Sequence, residues 1–308
     1  MITPSYLKQG NKVGIVATAR KISLEEIKPA LTILESWGLQ PIIGKTIGLA
    51  DNQYAGTDDE RAKDLQNMLD DESIKAIFCA RGGYGTVRIV DKLDFDIFKK
   101  HPKWICGYSD VTVLHSHINQ NLNIETIHST MLFNFPKGGS LNGAVKSLRD
   151  TLLGHEVSYY LPHHPLNRGS RLRIPINIAR GTLIGGNLSL LYSLCSTPSD
   201  IDTKGKILFL EDLDEYLYHI DRMMMNLKRS GKLEHLKGLI VGGMTDMKDN
   251  TIPFGKTAEE IIFDAVKDYN YPVCFGFPAG HIEDNCALIM GREVEMEIRE
   301  SVNIRFKS

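Results

Sequence analysis

The sequence predicts an α/β protein with a mainly parallel sheet in its first half and a smaller α/β domain after it. Three observations carry this reading. Short β-branched runs alternate with helical patterns between residues 12 and 129. The texture turns polar and proline-bearing near residue 155, and apolar runs resume after residue 205. Strands separated by helical patterns imply βαβ units, with helices covering both faces of a parallel sheet.

The elements follow in order. "KVGIVA" (12–17) reads as the first strand. Ser23 and Glu26 then stand in capping-box spacing, and Leu24, Ile27, Leu31 and Leu34 share one helical face. "QPIIG" is a second strand, and Thr57 with Glu60 repeats the helix-start signature. "IKAIFCA" (74–80) is the third strand and runs into "RGGYG"; the spacing of Val87, Val90 and Leu93 predicts a helix after it. "KWICG" (103–107) is a fourth strand, "SDVTVLHSHIN" a helix, and "IETIHS" (124–129) a fifth strand. "HEVSYYLPHHPLNRGSRLRIPINIARG" reads as a passage between domains. The expected division is therefore 1–155, a linker at 156–178, and a second domain at 179–308. Strands are expected there at 206–212, 238–243, 272–277 and 293–299, and helices near 187–194, 216–229 and 257–268. "VEMEIRESVNIRF" alternates as an antiparallel pair does.

Bulk composition narrows the function classes. Of 308 residues, 42% are hydrophobic and 24% charged, and the net charge is −2. Such a balance offers no pull toward nucleic acid or anionic lipid. No stretch approaches 18 apolar residues, and the N-terminus lacks the order of a signal peptide. Cys79, Cys106, Cys195, Cys274 and Cys286 are odd in number and widely spaced, so reduced thiols are expected rather than a disulfide framework or a zinc site. The expectation is a cytoplasmic protein without metal or cofactor.

In open α/β sheets the loops at the carboxyl ends of the strands build the site. "RGGYG" and "GYSD" both hold such positions. Ser109 follows an apolar strand, a glycine and a tyrosine and precedes a helix, the layout of a nucleophile on a tight turn. The pattern departs from GxSxG, and a serine or aspartate helix cap accounts for the same residues. The loop Arg81–Gly85 fits an oxyanion donor, a phosphate cradle or a plain turn. It has neither the lysine of a phosphate loop nor GxGxxG spacing. Cys106, three residues before Ser109, falls within the strand and reads as a buried thiol rather than a nucleophile.

A serine nucleophile needs a base, and the base an orienting carboxylate. His115 and His117 point to different helix faces, and His163 and His164 lie in the linker. His281 leaves a strand through "FGFPAG" and is the stronger candidate base; a lone loop histidine is its plainer alternative. Glu211 ends "KILFL", which puts an acid at the mouth of a buried strand. Burying a charge is costly unless it is paired, although Glu211 and Asp212 also fit a simple turn.

Taken in order over nearly the whole chain, "ARGGYG", "GYSDVT", "GTLIGGNLSLL", "LFLEDLDEYLYHIDRMM" and "FGFPAGH" resemble the LD-carboxypeptidases. These are serine peptidases whose family includes the microcin C self-immunity proteins. The resemblance implies a flavodoxin- or class I amidotransferase-like N-terminal domain, a smaller C-terminal α/β domain and a homodimer. It implies Ser109 as nucleophile, Glu211 as orienting acid and His281 as base. The backbone N–H groups of Asp110 and Gly83 would form the oxyanion hole. The implied reaction releases the terminal D-alanine from a peptidoglycan tetrapeptide in the cytoplasm, without a metal. Arg81 is a candidate for the substrate carboxylate, with a surface ion pair as its alternative. Asn187 is a second candidate contact, with helix capping as its alternative. One departure is visible: the first strand ends in "VATAR", where a serine-rich turn is expected.

Two other readings stand beside this one. An immunity-type peptidase would cleave a peptidyl- or aminoacyl-nucleotide and stack its base on an aromatic residue of the second domain. Trp37 and Trp104 both lie in the first half, so a tyrosine would have to serve. The other is a non-catalytic muropeptide-binding module on the same fold.

Overall fold

The computed structural model describes residues 1–138, 141–168 and 178–307. Thirteen strands form two sheets among the described residues. In chain order they are β1 (Lys12–Val16), β2 (Gln40–Ile43), β3 (Ile74–Cys79), β4 (Trp104–Gly107), β5 (Thr126–His128), β6 (Ser158–Pro162), β7 (Ile178–Asn187), β8 (Ile207–Leu213), β9 (Gly238–Thr245), β10 (Val273–Cys274), β11 (Leu288–Met290), β12 (Glu293–Ile298) and β13 (Ser301–Phe306).

The first sheet runs β11-β5-β4-β3-β1-β2, parallel from β2 to β5. Its inner strands β3, β4 and β5 are buried on both faces, as parallel strands under helices are, while the edge strand β2 is largely exposed. Val13, Ile15, Phe78 and Trp104 face one core, and Ile77, Cys79 and Ile105 the other. The expected capping boxes are present at Ser23 and Thr57. The second sheet runs β10-β9-β8-β7-β12-β13-β6 and changes character midway. The β7–β10 half is parallel. The other half is antiparallel, with Val294 opposite Phe306 and Met296 opposite Ile304 in the closing pair. Alternating burial of β12, against continuous burial of β8, follows that division.

Several local expectations change. The stretch around Val87, Val90 and Leu93 forms two 3-10 turns, Thr86–Arg88 and Val90–Lys92, not a helix. Its apolar spacing is real, but Gly85 enters at φ +150° and the Asp110 carboxylate takes the Thr86 N–H at 2.7 Å. Within 156–178, residues 158–162 form the edge strand β6; residues 169–177 of that span lie outside the described residues. Helix Gly143–Leu152, not anticipated, opens on the Asn142 cap.

β11 departs most from a simple division of the chain. It belongs to the last third, yet pairs antiparallel with β5 on the first sheet, Leu288 opposite His128. The chain then returns to the second sheet as β12. At that crossing Arg292 and Glu125 form a buried ion pair at 2.5 Å, joined by the Tyr6 hydroxyl at 3.0 Å.

Candidate active site

Ser109 stands at the exit of β4, with φ at +61°. That left-handed conformation costs free energy for a residue with a side chain and persists only where its surroundings hold it. They do so here. Gly107, just before, leaves no room for a Cβ, which would come within 2.8 Å of Val111. Both ring nitrogens of buried His115 are engaged, with Gly107 O and Thr126 Oγ1, each at 2.9 Å. A 3-10 turn, Ser109–Val111, then leads into helix Thr112–Leu122. The Ser109 side chain caps neither. Its hydroxyl points instead at His281.

His281 sits on the loop between β10 and β11. Its Nε2 lies 3.1 Å from Ser109 Oγ and its Nδ1 2.7 Å from Glu211 Oε2. A carboxylate at Nδ1 holds the proton on that nitrogen and leaves the Nε2 lone pair for the serine. The His281 backbone N–H also donates to Glu211 Oε2 at 3.2 Å. Gly280 permits this approach: its φ is +108°, and a Cβ there would lie 2.6 Å from that of Glu211. Asn285 Oδ1 accepts the Gly280 N–H, Thr245 Oγ1 donates to the His281 carbonyl, and the Tyr108 ring lies 4.8 Å from the imidazole.

Glu211 is fully buried near the end of β8. Its Oε1 has no hydrogen-bond partner among the described residues, so the imidazole is its principal compensation. Burial pushes the His281 imidazole down, but the charge and hydrogen bond of Glu211, helped by Asp212, outweigh it and raise the group above its ordinary value of 6.5. Asp212 was not singled out in the sequence. Burial, then the neighbouring Glu211 charge, pushes it up to about 7. Its carboxylate accepts from Asn187 Nδ2 and the Ser189 N–H, each at 2.9 Å.

These groups open onto a cavity of about 420 Å³ between the two halves of the chain. Gly82 and Gly83 line it beside Ser109, and a Cβ on Gly82 would sit 3.0 Å from that of Ser109. Asp110 is fully buried, and its carboxylate fastens the glycine loop through Thr86. The aspartate thus acts through its side chain as well as offering its N–H, which has no intrahelical acceptor at the start of a turn. Asn187 lines the cavity and also caps helix Leu188–Leu194, accepting from Leu190 N at 3.2 Å. Arg81 lines it too, 3.6 Å from Glu26 and with its guanidinium 5.3 Å from the Phe133 ring centre.

The other residues weighed in the sequence lie elsewhere. His117 pairs with Ser199, His163 is exposed, and half-buried His164 stacks on Phe275. Cys106 lies buried in β4, where desolvation pushes its thiol well up. No cluster able to hold a metal occurs among the described residues, and none of their helices is long and apolar enough to cross a membrane.

The chain is similar to known proteins along nearly all its length. Residues 13–129 match the LD-carboxypeptidase N-terminal domain and residues 180–296 the LD-carboxypeptidase C-terminal domain. The probable murein peptide carboxypeptidase of Bacillus subtilis (strain 168) is 37% identical over 306 residues, covering 98% of this chain and 93% of that protein. The crystal structure of muramoyltetrapeptide carboxypeptidase from Oxalobacter formigenes superposes with a TM-score of 0.85 at 24% identity, over 97% of this chain and 99% of that one. The microcin C7 self immunity protein MccF, in an inactive mutant apo state, also superposes with a TM-score of 0.85, at 21% identity over 99% and 98% of the two chains. At these identities the two structures speak to the shared fold.

Proposed function

The chain belongs to the LD-carboxypeptidase family, and from that premise we propose that it is a serine peptidase releasing the terminal D-alanine of peptidoglycan tetrapeptides. The observation that carries the reading is the unbroken line Ser109–His281–Glu211, with hydrogen-bond spacings of 3.1 and 2.7 Å, opening on one cavity. The relative named as a probable murein peptide carboxypeptidase supports this substrate class. Five unpaired cysteines suit a reducing, cytoplasmic setting. By the same family resemblance the working unit is a homodimer.

In this mechanism His281 Nε2 takes the Ser109 proton as Oγ attacks the carbonyl carbon before D-alanine. Glu211 keeps the imidazole in the required tautomer and stabilises the imidazolium. The N–H groups of Asp110 and Gly83 receive the developing oxyanion. His281 then gives its proton to the leaving amine, the C–N bond breaks, and an acyl-Ser109 ester remains. Water, deprotonated by His281, cleaves that ester and restores the serine. Asn187 and Arg81 contribute to holding the peptide.

The immunity-type reading is disfavoured by the aromatic groups. Trp104 is fully buried, Trp37 packs against the core, and neither lines the cavity. Mass-spectrometric detection of D-alanine from a tetrapeptide is the deciding experiment, with an all-L peptide and a peptidyl-nucleotide run in parallel. Ser109→Ala is expected to lower turnover by about 10⁴-fold or more. Near-normal turnover in that variant would overturn the assignment, and so would a preference for the nucleotide.

A further inference from the structure

An exopeptidase must recognise the free carboxylate at the end of its substrate, and two arginines line the cavity, Arg20 and Arg81. They are not equivalent. Arg81 has a carboxylate neighbour, Glu26, and an aromatic face beneath its guanidinium. Arg20 is exposed and makes no ion pair or side-chain hydrogen bond among the described residues. Exposed arginines are commonly left to water, so exposure alone carries nothing. Position is what sets Arg20 apart.

Its backbone is fixed to the glycine loop and the turn beside it. The Arg20 N–H donates to Gly82 O at 3.3 Å, and the flanking Lys21 N and Ala19 O bond to residues Gln53 and Ala55 at 3.0 Å. Its stem lies flat over Gly83: a Cβ on that glycine would sit 2.7 Å from Arg20 Cγ and 2.8 Å from Cδ. The turn that carries the guanidinium is therefore docked on the loop that would present the oxyanion N–H. The acidic residues of the cavity come from the other half of the chain, and they have partners. Asp214 pairs with Lys248 at 2.7 Å and Glu215 with His219 at 2.6 Å. The cavity thus has one wall with an uncompensated cation and an opposite wall whose acids are engaged.

We propose that Arg20 is the specificity-determining residue that binds the terminal carboxylate of the peptide, with Arg81 in a supporting place. A guanidinium matches a carboxylate with two parallel N–H donors, and anchoring its stem reduces the freedom lost on binding. The inference rests on the carboxypeptidase reading above.

The test compares a tetrapeptide ending in a free carboxylate with the same peptide ending in a carboxamide. The wild-type protein is expected to prefer the acid in kcat/KM. Arg20→Ala should lower the acid-to-amide ratio of kcat/KM by roughly 10- to 100-fold, the range for a lost hydrogen bond to a charged group, whatever loss the missing stem brings to both peptides alike. Arg20→Lys should recover part of the loss, and Arg81→Ala should keep most of the preference. A second readout is calorimetric binding of both peptides to Ser109→Ala, with and without Arg20→Ala. Acid binding that depends on Arg20, without turnover by the wild-type protein, would sustain carboxylate recognition and remove the peptidase reading. An unchanged acid-to-amide ratio in Arg20→Ala would overturn the proposal, as would its collapse in Arg81→Ala alone.

Discussion

The serine turn and the histidine loop are built on opposite plans. Ser109 leaves a strand flanked on both sides in a parallel sheet, and a buried histidine, a buried aspartate and a glycine without room for a side chain hold its turn. His281 occupies a loop whose two ends enter different sheets, β10 in the second and β11 in the first. Backbone bonds close the base of that loop, as from Cys286 N–H to Pro278 O at 2.8 Å, and at the histidine itself Glu211 meets both the ring and the N–H. The serine is placed by its scaffold. The histidine is placed by its partner.

This contrast is open to direct attack, and the largest effect is expected at the partner. Glu211→Gln should remove the charge that selects the tautomer and lower turnover by about 10⁴-fold while the fold persists. Steady-state kinetics with circular dichroism checks it, and a loss under tenfold would show that the loop places the histidine unaided. Gly280→Ala comes next. A methyl group 2.6 Å from Glu211 Cβ must displace the loop, and a misplacement of about 1 Å costs on the order of 10²-fold. The melting temperature should fall as well, since alanine at φ +108° is strained, so turnover is compared per folded molecule.

Arg292→Ala addresses the frame behind the loop. It leaves Glu125 buried and unpaired, which typically costs about 3–5 kcal/mol. Urea titration should show that loss. Turnover per folded molecule should fall much less than in Gly280→Ala, because Arg292 touches no reacting group. The smallest effect is a shift in pH dependence. In the proposed mechanism His281 must be neutral to act as base, and its folded pKa is raised, so the acid limb of kcat/KM should have its midpoint above 6.5. Its contribution to stability runs the other way: fully present below the unfolded value, and lost as pH rises through the folded one. In Glu211→Gln the residual limb should move down, because burial then acts with less opposition.

Much of this arrangement was legible in the sequence, and the residues explain why. Ser109, Glu211 and His281 each follow an apolar run that ends abruptly, and a run of that kind marks both a buried strand and the place where it opens. The capping boxes at Ser23 and Thr57 are local signals, and they hold. Spacing misled at Val87, Val90 and Leu93. The contact that breaks a helix there comes from Asp110, 24 residues away from Thr86, and no local pattern records it. β11 was invisible for a related reason: three apolar residues suit any buried segment, and only pairing with β5 makes them a strand. Asp212 reads in the sequence as part of a turn beside Glu211, although its side chain is buried at the cavity wall.

The return of β11 to the first sheet bears on how such a chain is inherited and recombined. A crossover between relatives placed after residue 178 would exchange more than a second unit. It would replace the edge strand of the recipient's first sheet, one partner of the Arg292–Glu125 pair and the loop carrying the histidine together. Chimaeras joined there should succeed only when the donor also suits β5 and Glu125, whereas replacing β8 and β9 alone leaves that strap in native company. The site between the two halves is in this sense inherited as a single block.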